Sequence, residues 1–162
     1  KKIVFPIELI PLSIVSSSII NLIVGGMLII VFLFFDNALP LTFILSPVVL
    51  MPLLFFTSGL SWIIASIGVF IRDLYQVVGI FMSILLFLSP IFYPISSVPS
   101  IAQKIIRINP LTFPIEQFRN VLIRGELIDL NGWIIYTLIS LFVFFIGLFF
   151  FQKTRKYFSD LI

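Results

Sequence analysis

The sequence predicts an all-α, polytopic helical membrane protein, with four spans and a helical hairpin before the last of them. Three observations carry this. Hydrophobic residues fill 60% of the 162 positions. Mean hydropathy is +1.26. The charged residues, 10% of the chain, gather at a few places. A soluble domain is about half apolar and about a quarter charged, so an ordinary globular domain, a disordered tail and a nucleic-acid-binding module are excluded. Histidine and cysteine are both absent, and net charge is only +3. That removes the commonest general base, thiol chemistry and the commonest transition-metal ligands.

The charges divide the chain into elements. Between Glu8 and Asp36 lie 27 uncharged residues, about 40 Å of helix at 1.5 Å per residue. This exceeds a hydrocarbon core of about 30 Å and gives a first span over about 9–35. Asn37 to Pro40 reads as a tight turn. A second span follows over about 41–70, with Pro47 and Pro52 expected to kink its first half. Arg72-Asp73 is a polar break. Pro90, Pro94 and Pro99 cut the next apolar run, and the third span is expected over about 74–92. A fourth runs over about 132–151 and stops at Lys153, Arg155 and Lys156. Four spans put both ends on one side, and the Lys and Arg split of six to four favours that side as cytoplasmic. Gly25-Gly26 could admit another helix closely, and Ser16 to Ser18 fit either helix packing or a polar conduit wall. The opening, Lys1-Lys2-Ile3, has no short leader pattern, and the chain reads as a fragment lacking its N-terminal part.

The stretch from Tyr93 to Asp129 is too polar to cross the bilayer and too apolar to be a solvated loop. It holds two short helical patterns over 94–125. Pro99 opens the first and Asn109-Pro110 ends it; Pro114 opens the second and Gly125 is a plausible cap. Each is about half a bilayer long, so the pair is either a re-entrant hairpin or two interfacial helices. Glu116 and Arg119, spaced i, i+3, can pair on one face, as a helix-stabilising pair or as a pair beside a conduit.

The string Ser89-Pro90-Ile91-Phe92-Tyr93-Pro94, then Pro99, Asn109-Pro110-Leu111, Glu116, Arg119 and Gly125, resembles the membrane subunit of bacterial polysaccharide-export ABC transporters. The relatives export O-antigen, capsule or teichoic acid. The opening with Phe5, Pro6, Glu8 and Pro11, the Arg72-Asp73-Leu74 break and the basic tail resemble the same family. Its members usually have six spans and an N-terminal interfacial helix, so the first two spans and that helix are missing from this chain. The resemblance implies a non-enzymatic permease of the bacterial cytoplasmic membrane. Its partners would be an ABC-type ATPase carrying ATP and magnesium, a second copy of itself, membrane lipids and a lipid-linked glycan. Phe5, Pro6, Arg72 and Asp73 would form the ATPase-coupling surface. Pro90, Tyr93, Pro94, Asn109, Pro110, Glu116 and Arg119 would form the outer gate region.

No Walker-type phosphate loop is present in the sequence, so ATP-driven transport needs a separate ATPase. Trp62 and Tyr93 combine a stacking face with a hydrogen-bond donor and are candidates for glycan stacking. The Phe142 to Phe151 cluster reads first as packing. A drug or small-molecule exporter of the same architecture is the closest alternative. An ion-coupled transporter or a membrane-embedded transferase is disfavoured, because the charges sit at span ends or in the hairpin without metal-ligand spacing.

Overall fold

The computed structural model describes residues 7–71 and 73–156, so Phe5, Pro6 and Arg72 of the expected coupling surface lie outside the described residues. Those residues form helices and turns with no strand. α1 spans Leu9–Phe35, α2 Ser46–Gly68, α3 Leu74–Leu88, α4 Ser100–Ile108, α5 Thr112–Arg119 and α6 Leu130–Thr154. A π-helical turn, Asn120–Arg124, extends α5.

Three of these helices are long and apolar enough to cross a membrane: Leu9–Phe35, Leu130–Thr154, and α2 together with the 3-10 turn before it, Leu41–Gly68. The helix over the expected third span is shorter than 74–92. α3 has 15 residues, about 22 Å, and stops at Leu88. Ser89 is extended (φ −88°, ψ 139°) because the ring of Pro90 disfavours helical geometry in the residue before it. The expected kink at Pro47 is corrected. α2 begins at Ser46, so Pro47 sits in the first turn, where a missing N–H has no intrahelical partner to lose, and only Pro52 lies inside the helix.

α1 closes in a Schellman arrangement. Asn37 takes the left-handed conformation (φ 53°), and the Ala38 and Asn37 N–H groups donate to the carbonyls of Leu33 and Phe34 at 3.0 and 3.2 Å. This reverses the chain into Pro40 and the 3-10 turn Leu41–Leu45. α1 then lies antiparallel to α2, with Trp62 Nε1 donating to the Glu8 carbonyl at 3.0 Å. Arg155, just past α6, pairs with the Glu8 carboxylate at the same end.

α2 and α6 run in the same direction and make the main packing contact. Their backbones touch at Gly59 and Gly147. A Cβ at Gly59 would stand 2.5 Å from the Val143 carbonyl oxygen, and one at Gly147 would strike the Gly59 backbone. Ser66 and Ser140, each seven residues from one of these glycines, have no exposed surface. Around the crossing, Trp62 meets Phe144 edge-on at 5.1 Å, Phe55 meets Phe144 at 5.5 Å, and Phe151 is buried against Trp62. The close approach foreseen at Gly25-Gly26 does not occur among the described residues: nothing lies within 4 Å of a Cβ at either. Ser16 and Ser18 donate to their own helix at Leu12 and Ile14. The outward faces are apolar. Leu28, Phe32, Phe87 and Phe142 are each 66% or more exposed, which suits a lipid rather than an aqueous surround.

Gly147→Ala is expected to lose about 1–3 kcal/mol through overpacking, measured by reversible unfolding in detergent. Gly25→Ala is expected to be neutral or to gain up to about 1 kcal/mol. Equal effects at the two positions would refute the crossing.

Candidate functional site

The polar residues of the chain converge at the end where α1 turns into α2, α3 stops and α6 begins. Their geometry follows from proline. A helical proline leaves the carbonyl four residues earlier without its N–H partner, and in a membrane protein that carbonyl needs another donor. Pro52 frees the Val48 carbonyl, and Trp133 Nε1 of α6 donates to it at 3.1 Å. At the end of α4 the Ile106 carbonyl accepts from both the Asn109 N–H at 3.1 Å and Thr112 Oγ1 at 2.5 Å, which braces the turn over Pro110. Past the end of α3, the carbonyls of Pro90 and Ile91 accept from Arg119 Nη2 at 2.6 and 3.2 Å.

Arg119 Nη1 also pairs with Glu116 Oε1 at 2.9 Å, with both side chains about four-fifths covered. The carboxylate fixes the guanidinium, and the guanidinium ties α5 to the chain leaving α3. A second tie lies beside it. The Ser89 hydroxyl donates to the Leu85 carbonyl at 2.6 Å and accepts from Asn109 Nδ2 at 2.9 Å. Asn109 Oδ1 accepts from the Leu111 N–H at 2.9 Å, which shapes the turn over Pro110. Ser89 and Asn109 are both buried. Tyr93 is half-buried and donates its hydroxyl to the Phe87 carbonyl at 3.0 Å.

The hairpin is tied on its other sides as well. Thr42 Oγ1 donates to the Val121 carbonyl in the π turn at 2.7 Å. Gly125 ends that turn in the left-handed conformation (φ 72°). Gln117 Oε1 accepts from the Asp129 N–H at 3.0 Å, and Asp129 caps α6 by accepting from Gly132 at 3.3 Å.

Pro90, Tyr93, Asn109, Glu116 and Arg119 are therefore brought together at the joint between α3 and the hairpin. Pro110 shapes the α4–α5 turn, and Pro94 precedes the 3-10 turn Ile95–Ser97. Asp73 lies at the opposite end of α3, its carbonyl accepting from Gln76 and Val77. Trp62 is only 3% exposed and its ring packs among α2 and α6 rather than offering a face. Thr42, Thr112, Gln117 and Trp133 also hold this joint and were not among the expected site residues, nor was Ser89, which entered only as the start of the motif string. Thr112 had a legible signal, a hydroxyl two residues after Pro110; Trp133 had none, because nothing in the sequence sets α6 beside the carbonyl freed by Pro52. Among the described residues no three His, Cys, Asp or Glu side chains converge as a metal site.

A membrane domain built around such a joint matches one family over most of its length. Residues 2–123 match the family described as ABC-2 type transporter, and the chain belongs to that family, as a multi-pass membrane protein. It is similar to the O-antigen export system permease protein RfbA of Klebsiella pneumoniae, 29% identical over 170 residues that cover 100% of this chain and 63% of the relative. The protein of the same name from Myxococcus xanthus is 25% identical over 164 residues, covering 99% of this chain and 63% of that one. A second Klebsiella pneumoniae protein of that name is 29% identical over 164 residues. The chain thus spans less than two thirds of the length of these relatives.

Ser89→Ala and Asn109→Ala are expected to show a coupling energy of about 0.5–1.5 kcal/mol in a double-mutant cycle of unfolding. Additive losses would mean that the side-chain bond carries nothing. Trp133→Phe is expected to lose about 0.6 kcal/mol, and no more than about 1.7, in the same assay.

Proposed function

We propose that this chain is the membrane subunit of an ATP-driven exporter that moves a lipid-linked polysaccharide, of O-antigen, capsule or teichoic acid type, outward across the bacterial cytoplasmic membrane. The carrying observation is similarity along the whole chain to O-antigen export permeases. ATP and magnesium belong to a separate ABC-type ATPase, and two copies of the permease enclose the conduit. The path of α3 supports a fourth crossing. Its 15 residues run from the Asp73 end to the end where Arg119 takes the Pro90 carbonyl, beside Thr42 and Trp133. The ends of the described chain then share one side, the cytoplasmic one by the balance of Lys and Arg.

The hairpin from Pro94 to Gly125 is the outer gate region, entered from that outer side. Its joint to α3, made by Arg119, Glu116, Asn109 and Ser89, transmits movement of α3 to the gate. Phe5, Pro6, Arg72 and Asp73 form the surface that the ATPase pushes. A glycan passing the hairpin meets Tyr93, whose ring remains partly open.

In cells that make the glycan, deleting the gene for the full-length protein is expected to abolish surface glycan and to leave lipid-linked glycan inside. Unchanged surface glycan with new sensitivity to small molecules would instead favour a drug exporter of the same architecture. In the reconstituted complex, Asp73→Ala is expected to lower glycan-stimulated ATP hydrolysis several-fold while leaving basal hydrolysis intact. Undiminished stimulation would take Asp73 out of the coupling surface.

A further inference from the structure

We propose that the cavity on the polar side of the hairpin is a binding site for one or two uncharged sugar units of the exported glycan. The proposal rests on the glycan-export reading and assigns it a site. The cavity holds about 730 Å³, within the range of about 300–1,000 Å³ typical of small-ligand sites. It opens between the Ile95–Ser97 turn, α4, α5 and the segment leading into α6.

Charge selects the ligand class. Arg107 and Arg124 line the cavity together with Asp129 and with Glu116, whose carboxylate also pairs with Arg119 behind the wall, so the lining mixes both signs. An anion such as phosphate would face two carboxylates, and a cation would face two guanidinium groups. A neutral ligand whose groups both donate and accept meets no like charge and can bond groups of either sign. Sugar hydroxyls are of that kind.

The two amides in the wall are fixed in advance. Gln103, in the cavity lining, spends its Nε2 on the Val98 carbonyl at 2.8 Å, which leaves its oxygen as an acceptor. Gln117 spends its Oε1 on the Asp129 N–H at 3.0 Å, which leaves its Nε2 as a donor. Gln117 is only 7% exposed, and that nitrogen has no partner among the described residues. Each amide is thus held by one arm to the backbone and offers the other with defined polarity, so little rotamer freedom is left to lose on binding. Arg107 adds a guanidinium with no ion pair among the described residues.

Phe113 supplies the apolar wall that the C–H face of a sugar ring needs. Its own position is set from behind. A Cβ at Gly132 would stand 2.5 Å from Phe113 Cε2, and the Tyr136 ring lies at 5.5 Å. Fixed polar groups beside a fixed ring are the components of a specific small-ligand site.

The test uses the full-length permease with its ATPase in cells exporting glycan. A photo-crosslinking amino acid is placed at Ser96, on the cavity wall, and in a control at Ile80, on the exposed face of α3. A light-dependent, glycan-reactive adduct is expected at Ser96 and not at Ile80. Arg107→Ala is expected to lower adduct yield about ten-fold, as loss of a hydrogen bond from a charged group implies, while leaving the unfolding midpoint unchanged. Intact export with no Ser96 adduct, or an adduct indifferent to Arg107→Ala, overturns the site and leaves the export reading standing. Intact surface glycan after gene deletion removes the export reading and the site with it.

Discussion

In lipid, an apolar side chain gains nothing by turning from the bilayer toward another helix, so helices associate through close packing and hydrogen bonds. The approach of α2 to α6 at Gly59 and Gly147 meets that condition, since no side chain stands between the two backbones. Much of the remaining structure depends on it. The crossing sets Trp62 against Phe144 and Phe151, carries Trp133 to the Val48 carbonyl and brings Asp129 to Gln117. The hairpin is therefore seated on a rigid pair of helices, while α1 and α3 remain largely exposed to lipid.

Proline and its compensation organise the polar end. The prolines that interrupt the helices there give the hairpin its turns, and the carbonyls left over become the attachment points. Indole, hydroxyl and guanidinium donors from distant positions take them up. Arg119 shows why the donor type matters: its planar fork reaches two successive carbonyls and a carboxylate at once, which an ammonium on a flexible stem cannot fix in the same way. A joint of this kind is stiff where it is satisfied and costly to open, because opening it exposes several unpaired groups together.

Much of this was legible in the charges and prolines. The uncharged run after Glu8 gave the length of α1, and the Pro99, Asn109-Pro110 and Gly125 punctuation placed the hairpin helices. The Glu116 and Arg119 pair was readable from its i, i+3 spacing, and Asn109 joined them only through the family resemblance. What was not legible depended on which face each helix turns inward. Gly25-Gly26 drew attention as an adjacent pair, yet the working contact uses single glycines on two helices. Its trace is the seven-residue spacing of small residues, Gly59 to Ser66 and Ser140 to Gly147, and spacing alone does not pair one helix with another. Trp62 looked available because an aromatic donor suits a sugar, but the same properties suit a buried ring that bonds the Glu8 carbonyl. The cavity was invisible for a similar reason: Gln103, Gln117 and Arg107 acquire meaning only when α4 folds back on α5.

The bond between Trp133 and Val48 joins positions 85 residues apart. A ribosome adding about 5–20 residues per second needs about 4–17 s to make the donor after the acceptor has emerged. During that interval α2 carries a carbonyl without its final partner, in a helix interrupted in its hydrogen bonding by Pro52. The nascent protein therefore has a reason to hold α2 beside the insertion machinery, where water or another protein group can serve that oxygen, until the last helix arrives. The order of synthesis is in this sense written into the proline.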